Sequence, residues 1–194
     1  MKIVACAALA GELRAVLGQL GIADEVAVTY LPANLHNRPE RIVPALDDVA
    51  IDTDRLLVGY ADCGTGGALD RWLAAHPWAT RLPGAHCYEV FAGTELFTAL
   101  QDAEPGTFYL TDFLARHFDA LVWQGLGLDR HPELLTAYFA AYTRVVLLSQ
   151  GDDPSVGAAA VAAAERLGLR FEHRPVGRGR LAASVAVAWR GRAA

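Results

Sequence analysis

Side chains that bind soft metals occur at separated places in this 194-residue chain, which contains three cysteines. Cys6 ends an apolar run at the amino terminus, Cys63 lies in the glycine-rich segment 60–67, and Cys87 follows His86. His36 lies between the first two cysteines. Zinc prefers thiolate and imidazole donors, and three thiolates can also hold an iron–sulfur cluster with one open iron. These five residues form the predicted metal site, with zinc as the first choice and an iron–sulfur cluster as the second.

The spacing of these residues follows no common metal motif, since neither CxxC nor HxxxH occurs. The prediction depends instead on strand ends, because ligands of open α/β sheets bind outside the carboxyl ends of the strands. Cys6 ends the first predicted strand, His36 follows the second, and Cys63 follows the third. The alternative is that the cysteines are buried as small hydrophobic residues, and this alternative has most weight for Cys6.

The segment around Cys63 has a second interpretation, as the site of a metal-free cysteine enzyme, either racemase-like or a lyase. Backbone N–H groups of a glycine-rich turn before a helix can bind a small carboxylate or phosphate and lower the pKa of a nearby thiol. Cys63 would be catalytic, and Asp62 would orient a proton carrier. The turn resembles that of cofactor-independent amino-acid racemases, in which two cysteines act on opposite faces of one carbon; here they would be Cys63 and Cys87. The predicted anion-binding residues are Gly64, Thr65, Gly66 and Gly67.

The elements that must position these residues are predicted from apolar runs that alternate with helical patterns. This alternation indicates βαβ units and an α/β fold of three layers, a mostly parallel, twisted sheet with helices on both faces. Residues 1–194 are assigned to a single domain, in which the aromatic-rich segment 106–142 is a helical insertion that covers one end of the sheet. Predicted strands or strand-like segments are 2–5, 25–31, 55–60, 82–91, 144–149, 170–173 and 183–189, the last two as an antiparallel edge pair.

Composition limits the classes of partner and compartment. The net charge of −5 at pH 7 argues against nucleic acid. We expect no membrane span and no signal peptide, since no apolar run reaches ~20 residues and the amino-terminal run is short. An odd number of cysteines without a signal peptide indicates a reducing compartment, hence a cytoplasmic protein. The predicted edge strands near the carboxyl terminus are compatible with a homodimer.

Several motifs are distributed along the chain: the strand ending in Cys6, LHNRP at 35–39, Gly59-Tyr60 with Cys63-Gly64, His86-Cys87, PGTFYLT at 105–111 and GLD at 127–129. Taken together, these motifs resemble a prokaryotic family catalogued as domain of unknown function 1638. The family has no settled activity, so the resemblance assigns no catalytic residue. Its members tend to occur beside corrinoid-dependent methyltransferase systems, which implies a corrinoid protein or a methyltransferase as partner and favours metal or methyl-group chemistry over racemisation.

Three classes of function are therefore open. The first is a metal-binding protein linked to methyl transfer or corrinoid metabolism, in which an open position on zinc activates a thiol or a water. The second is the metal-free cysteine enzyme, acting on a small-molecule carboxylate or phosphate. The third is an accessory protein that binds a corrinoid partner without turnover, although the Asp, His and Gly signature of base-off corrinoid binding is absent from the sequence.

Overall fold

The computed structural model describes residues 1–49 and 53–191. The chain divides into two compact units, the first formed by Met1–Gly93 with Arg178–Ala194 and the second by Thr94–Gly177. Each unit contains one parallel β-sheet with helices. The predicted α/β class and parallel strand direction are therefore confirmed, with two sheets where one was expected.

Strands and helices alternate along most of the chain, as the apolar pattern predicts. The strands are β1 (Lys2–Cys6), β2 (Ala27–Leu31), β3 (Leu56–Gly59), β4 (Ala79–Arg81), β5 (Thr107–Thr111), β6 (Arg144–Ser149) and β7 (Arg170–Pro175). The α-helices are α1 (Ala10–Leu20), α2 (Ile42–Val49), α3 (Ala68–Ala74), α4 (Cys87–Ala92), α5 (Thr94–Ala103), α6 (Asp112–Arg116), α7 (Leu134–Phe139), α8 (Pro154–Leu167) and α9 (Gly179–Arg190).

The first unit is built on a four-stranded sheet in the order β2-β1-β3-β4, and each neighbouring pair is parallel. The inner strands β1 and β3 are almost entirely buried, which explains why their sequences are continuous apolar runs rather than alternating ones. Helix α9 packs against α1 and α4, while α2 packs against α3. Parallel strands end together, so the carboxyl ends of all four meet at one edge of this sheet.

The second unit has a three-stranded parallel sheet in the order β5-β6-β7. Every residue of β6 is buried, and α8 packs on β6 and β7 through an alanine-rich face, with Ala160 completely buried. Thr111 caps α6 by accepting a hydrogen bond from the Leu114 N–H, 3.3 Å away. The segment 106–142 thus supplies β5 to the sheet before it becomes helical; its role as a cover over a sheet end stays a prediction.

The prediction of a strand over residues 183–189 is wrong, because these residues belong to α9. The alternation of alanine and valine imitates the period of a strand, but alanine has the highest helix propensity. The buried residues of α9 include Leu181, Ala182, Val185 and Ala186, which is helical spacing. The predicted antiparallel edge pair is therefore wrong as well, since β7 pairs in parallel with β6. Residues 183–189 are therefore not the exposed edge strand on which the expectation of a homodimer depended.

The strand-like segment predicted over 82–91 is a loop followed by α4, and the strand itself, β4, lies before it. Cys87 is consequently the first residue of a helix. Among the described residues, no helix has both the length and the apolar character that crossing a membrane requires.

Candidate metal centre

Four of the five predicted metal-binding residues lie at the carboxyl-terminal edge of the four-stranded sheet. Cys6 is the last residue of β1, and His36 lies in a 3₁₀ turn, Ala33–Asn37, after β2. Cys63 lies in the loop after β3, and Cys87 begins α4 after β4. Each of the four strands therefore delivers one donor to the same edge.

These four side chains line one small cavity with a volume of about 10 Å³. The apolar part of its wall includes Leu9 and Leu82, both buried. A space of this size holds roughly one water molecule or one ion. The convergence of three thiols and an imidazole on such a space fits a single metal ion.

Cys6 and His36 already lie near the separation that two ligands of one ion require. The distance from Cys6 Sγ to His36 Nδ1 is 3.9 Å. In a tetrahedral zinc site, Zn–S and Zn–N bonds of ordinary length place the two ligand atoms about 3.6 Å apart. A shift of a few tenths of an ångström would bring this pair to the coordinated separation.

The remaining donors are not yet arranged around a common centre. Within residues 1–49 and 53–191, no group of three or more His, Cys, Asp or Glu side chains stands in a geometry that could hold a metal ion. Cys63 and Cys87 share the cavity wall with the Cys6–His36 pair. Completing a coordination shell therefore requires the thiols of Cys63 and Cys87 to move closer to the Cys6–His36 pair.

The loop that carries Cys63 has an unusual backbone. Cys63 has φ of 50°, the one positive φ of a non-glycine residue in the part of the chain that the structure describes. The left-handed conformation disfavours any residue with a Cβ, so the surrounding contacts must hold it in place. Two backbone hydrogen bonds do so: the Cys63 N–H donates to Ala85 O at 2.8 Å, and the Asp62 N–H donates to Gly84 O at 3.2 Å. They join the Cys63 loop to the segment that leads into Cys87.

The same loop also contacts the segment that follows His36. A Cβ added at Gly64, whose φ is 81°, would lie 3.4 Å from Pro39 Cγ. This distance is that of an ordinary van der Waals contact, so the Gly64 backbone lies next to Pro39, and the positive φ is what favours glycine at this position. Three loops that follow different strands are held together in this way, and each carries one of the candidate donors.

The Asp62 carboxylate accepts hydrogen bonds from the predicted anion-binding loop itself. Its Oδ1 accepts hydrogen bonds from Thr65 Oγ1 at 2.7 Å and from the Gly67 N–H at 3.0 Å. The bond from Thr65, supported by backbone N–H groups of Gly67 and Gly66, lowers the pKa of Asp62. The carboxylate therefore takes donors that the sequence analysis assigned to an external anion, and its acceptor oxygen is engaged in shaping the turn.

Burial raises the pKa of all three thiols. Desolvation raises the pKa of Cys63 to about 12, and backbone hydrogen bonds offset only part of that effect. For Cys6 and Cys87 burial is likewise the largest cause. At neutral pH the three side chains are therefore uncharged thiols unless a cation compensates the charge of the thiolates.

The two candidate histidines differ in position. His36 is an exposed residue, and its Nδ1 lies 3.9 Å from Cys6 Sγ. Protein atoms packed around the ring, and secondarily the nearby His86, lower the pKa of His36 and so favour the neutral imidazole that binds metals. His86 is exposed, precedes α4 with extended backbone, and is not among the residues that line the cavity. The structure therefore places His86 beside the site.

Tyr60 is a residue of the site that the sequence analysis missed. It directly follows β3, is 1% exposed, and lines the same cavity as the cysteines. Burial, followed by the neighbouring Cys6 and Cys63, raises the pKa of its hydroxyl. A tyrosine at the end of an apolar strand, immediately before the Cys63 loop, is the signal that could have identified it.

The fold and the site define an α/β protein with Rossmann-like parallel sheets and a cluster of cysteine and histidine at the strand ends of one sheet. The chain belongs to the family described as protein of unknown function (DUF1638), whose profile matches residues 30–185. This match confirms the resemblance found in the sequence motifs. It includes His36, Cys63 and Cys87 and begins after Cys6. No curated protein and no solved structure matches the chain.

Proposed function

We propose that this protein binds one metal ion, preferably zinc, through Cys6, Cys63, Cys87 and His36. The observation that carries the proposal is the convergence of these donors, one from each strand end, on a single cavity about the size of an ion. The Cys6–His36 distance of 3.9 Å supports it independently. Three thiolates and one neutral imidazole form a common donor set for zinc.

The size of the cavity favours a mononuclear ion over an iron–sulfur cluster. A cluster contains several iron and sulfide atoms, whereas the cavity volume is about 10 Å³ and the neighbouring Leu82 is 1% exposed. Room for a cluster would require displacement of a buried wall. A zinc ion requires the thiols to lose their protons, because metal binding is coupled to ligand deprotonation, and to close around the ion.

The position of His36 supports a role for the metal in activating a small thiol. Cys6 and Cys63 are buried and Cys87 is half-buried, whereas His36 is exposed and lies in a 3₁₀ turn outside the sheet. His36 is therefore the donor that an external ligand would replace most readily. Zinc held by three thiolates with one exchangeable position can bind and activate a substrate thiol for methyl transfer.

The association with corrinoid-dependent methyltransferase systems that the family resemblance implies is consistent with that chemistry. We therefore propose a corrinoid protein or a methyltransferase as the partner and a cytoplasmic location, where free cysteines stay reduced. An accessory protein without turnover would share the partner but not the exchangeable ligand. Co-purification with a corrinoid protein, together with exchange of an added thiol onto the bound metal, distinguishes the two roles.

The metal-free cysteine enzyme has less support from the geometry. Its nucleophile would need a thiolate, but burial raises the pKa of Cys63 to about 12. Its anion site would need the Gly67 N–H, which donates to Asp62. Rapid labelling of Cys63 by a thiol reagent at neutral pH, with protection by carboxylates or phosphate, would favour that enzyme over the metal protein.

Metal analysis of protein purified without air tests the proposal. We expect about one zinc per chain, reduced strongly by Cys63→Ser, which removes a thiolate but keeps a side chain of similar size. The matched histidine pair is His36→Ala and His131→Ala, because His131 is an exposed histidine bonded to Glu133 and lies in the second unit. Only the His36 variant should bind zinc more weakly. Absence of zinc, iron and cobalt above trace levels, also after reconstitution, would refute the proposal.

A further inference from the structure

The Tyr60 hydroxyl is buried without a hydrogen-bond partner among the described residues. Buried hydroxyl groups almost always have a partner, because an unpaired donor loses its bonds to water without replacement. Tyr60 is held at the end of β3, where its neighbours in sequence, Gly59 and Ala61, also line the cavity. This placement indicates that the partner of the hydroxyl is a group of the cavity itself.

The groups next to the hydroxyl limit what that partner can be. Cys6 and Cys63 line the same small cavity as Tyr60, and the Tyr60 hydroxyl bonds to neither of them in this structure. A metal ion accepts no hydrogen bond. A metal-bound thiolate does, and it is a stronger acceptor than a neutral thiol because it carries negative charge.

We propose that Tyr60 is a positioning residue of the metal centre, whose hydroxyl donates a hydrogen bond to the metal-bound thiolate of Cys6. This inference rests on the proposed function. The hydrogen bond would fix the direction of the Cys6 lone pairs and draw charge from its sulfur, which leaves the metal more electrophilic toward an incoming ligand. The hydroxyl would thus act as an outer-shell partner of the ligand that stands next to His36.

Tyr60→Phe removes this hydroxyl and keeps the buried ring, and Tyr30→Phe is the matched control. Tyr30 lies in β2, is not among the residues of the cavity wall, and its hydroxyl donates to Ala10 O at 3.5 Å. Zinc affinity is measured by competition with a chromophoric chelator, and the site is also observed through the absorption of bound Co(II). Unfolding by urea in excess chelator measures the stability of the protein without metal.

We expect Tyr60→Phe to weaken zinc binding about tenfold or more, as loss of an outer-shell partner does. The thiolate-to-Co(II) charge-transfer band should shift, because the sulfur no longer accepts a hydrogen bond. The unfolding midpoint in chelator should stay the same or rise, since an unpaired hydroxyl has been removed. Tyr30→Phe should change neither the zinc affinity nor the Co(II) band.

The outcomes separate this inference from the proposed function. If the unaltered protein binds zinc and Tyr60→Phe binds it equally well with the same Co(II) band, the inference is refuted and the metal site stands. If Tyr60→Phe loses stability in chelator in proportion to its loss of affinity, Tyr60 has a structural role only, and the inference is again refuted. If the unaltered protein binds no metal, both fail together.

Discussion

Replacement of Cys63 by glycine should leave a more stable protein than replacement by alanine, which reverses the usual order. Cys63 has φ of 50°, and the left-handed conformation costs a residue with a Cβ ~1–2 kcal/mol. Alanine keeps this cost, whereas glycine removes it. Both substitutions delete the buried thiol, so the loss of its packing is common to the two variants and cancels in the comparison.

The expected magnitude follows from two opposing effects. Glycine is freer than alanine in the unfolded chain, which destabilises the glycine variant by ~0.5–1 kcal/mol. Cys63→Gly should then be more stable than Cys63→Ala by roughly 0.5–1 kcal/mol. Cys6 is the control, because it is also buried but has φ of −60°. There the glycine variant should be the less stable by ~0.5–1 kcal/mol, so the two positions differ by the strain itself, ~1–2 kcal/mol.

Urea unfolding of the four variants, with a reductant and a metal chelator, measures both differences. The chelator is needed because residual metal binding would stabilise each variant to a different degree. The inference that contacts hold the Cys63 loop in an unfavourable conformation would fail if the glycine variant were less stable than the alanine variant by the same amount at both positions. Such a result would show that the backbone of Cys63 is unstrained.

Three further predictions concern the supporting structure. Gly59→Ala should lower the free energy of unfolding by ~1–3 kcal/mol in urea, because a Cβ there would collide with the side chain of Ala5 in β1. Gly11→Ala should not destabilise, because nothing lies within 4 Å of a Cβ at that position. Asp112→Ala should cost ~3 kcal/mol in the same assay, because its buried carboxylate accepts two backbone N–H bonds from the segment after β6. Asp153→Asn should make the loss of stability in acid less steep, because hydrogen bonds from Ser155 and then Arg116 lower the pKa of Asp153. The Asp153 carboxylate therefore stabilises the folded chain at pH values above its unfolded pKa, and this contribution is lost as the pH falls through its folded pKa.

Each of these predictions has a clear contradiction. Equal unfolding midpoints for Gly59→Ala and Gly11→Ala would show that β1 and β3 are not in close contact at Gly59. A cost below about 1 kcal/mol for Asp112→Ala would mean that the two N–H groups find other acceptors. Acid unfolding profiles of the unaltered protein and Asp153→Asn that run parallel would show that this carboxylate has the same pKa in the folded and unfolded chain.

The rule that ligands gather at the carboxyl ends of parallel strands predicts much of the site. Cys6, His36 and Cys63 follow strands whose apolar runs are legible in the sequence, so their meeting could be predicted without a spacing motif. Cys87 was assigned to a strand-like segment, yet it reaches the cavity from the first turn of α4. The position of Cys87 depends on which strand ends before its loop, and that strand is β4.

Other features of the site depend on loop conformation, which the residue types do not determine. His36 and His86 are both histidines beside cysteines in space, and only the 3₁₀ turn and the backbone before α4 decide that His36 lines the cavity. Asp62 likewise is predicted from the sequence to orient a proton carrier, but the turn folds its carboxylate onto Thr65 and Gly67. Side-chain direction in such turns follows from backbone dihedrals that are set by contacts between loops.

The division into two sheets could not be predicted from alternation alone. A strand of three residues such as β4 gives a weak local signal, and no local feature says that β5 begins a separate sheet. The error over 183–189 has a different origin, since an alanine–valine repeat fits both a strand and a helix of small residues. Burial of α9 against α1 and α4 decides in favour of the helix.

X-ray absorption at the zinc edge of the protein, purified and reconstituted without air, tests the central claim most directly. We predict about three sulfur ligands at ~2.3 Å and one nitrogen at ~2.0–2.1 Å, and we expect His36→Ala to lose the nitrogen while the sulfur shell remains. A first shell of oxygen and nitrogen without sulfur, or a protein that retains no metal after reconstitution, would contradict the assignment of Cys6, Cys63, Cys87 and His36 as a metal centre.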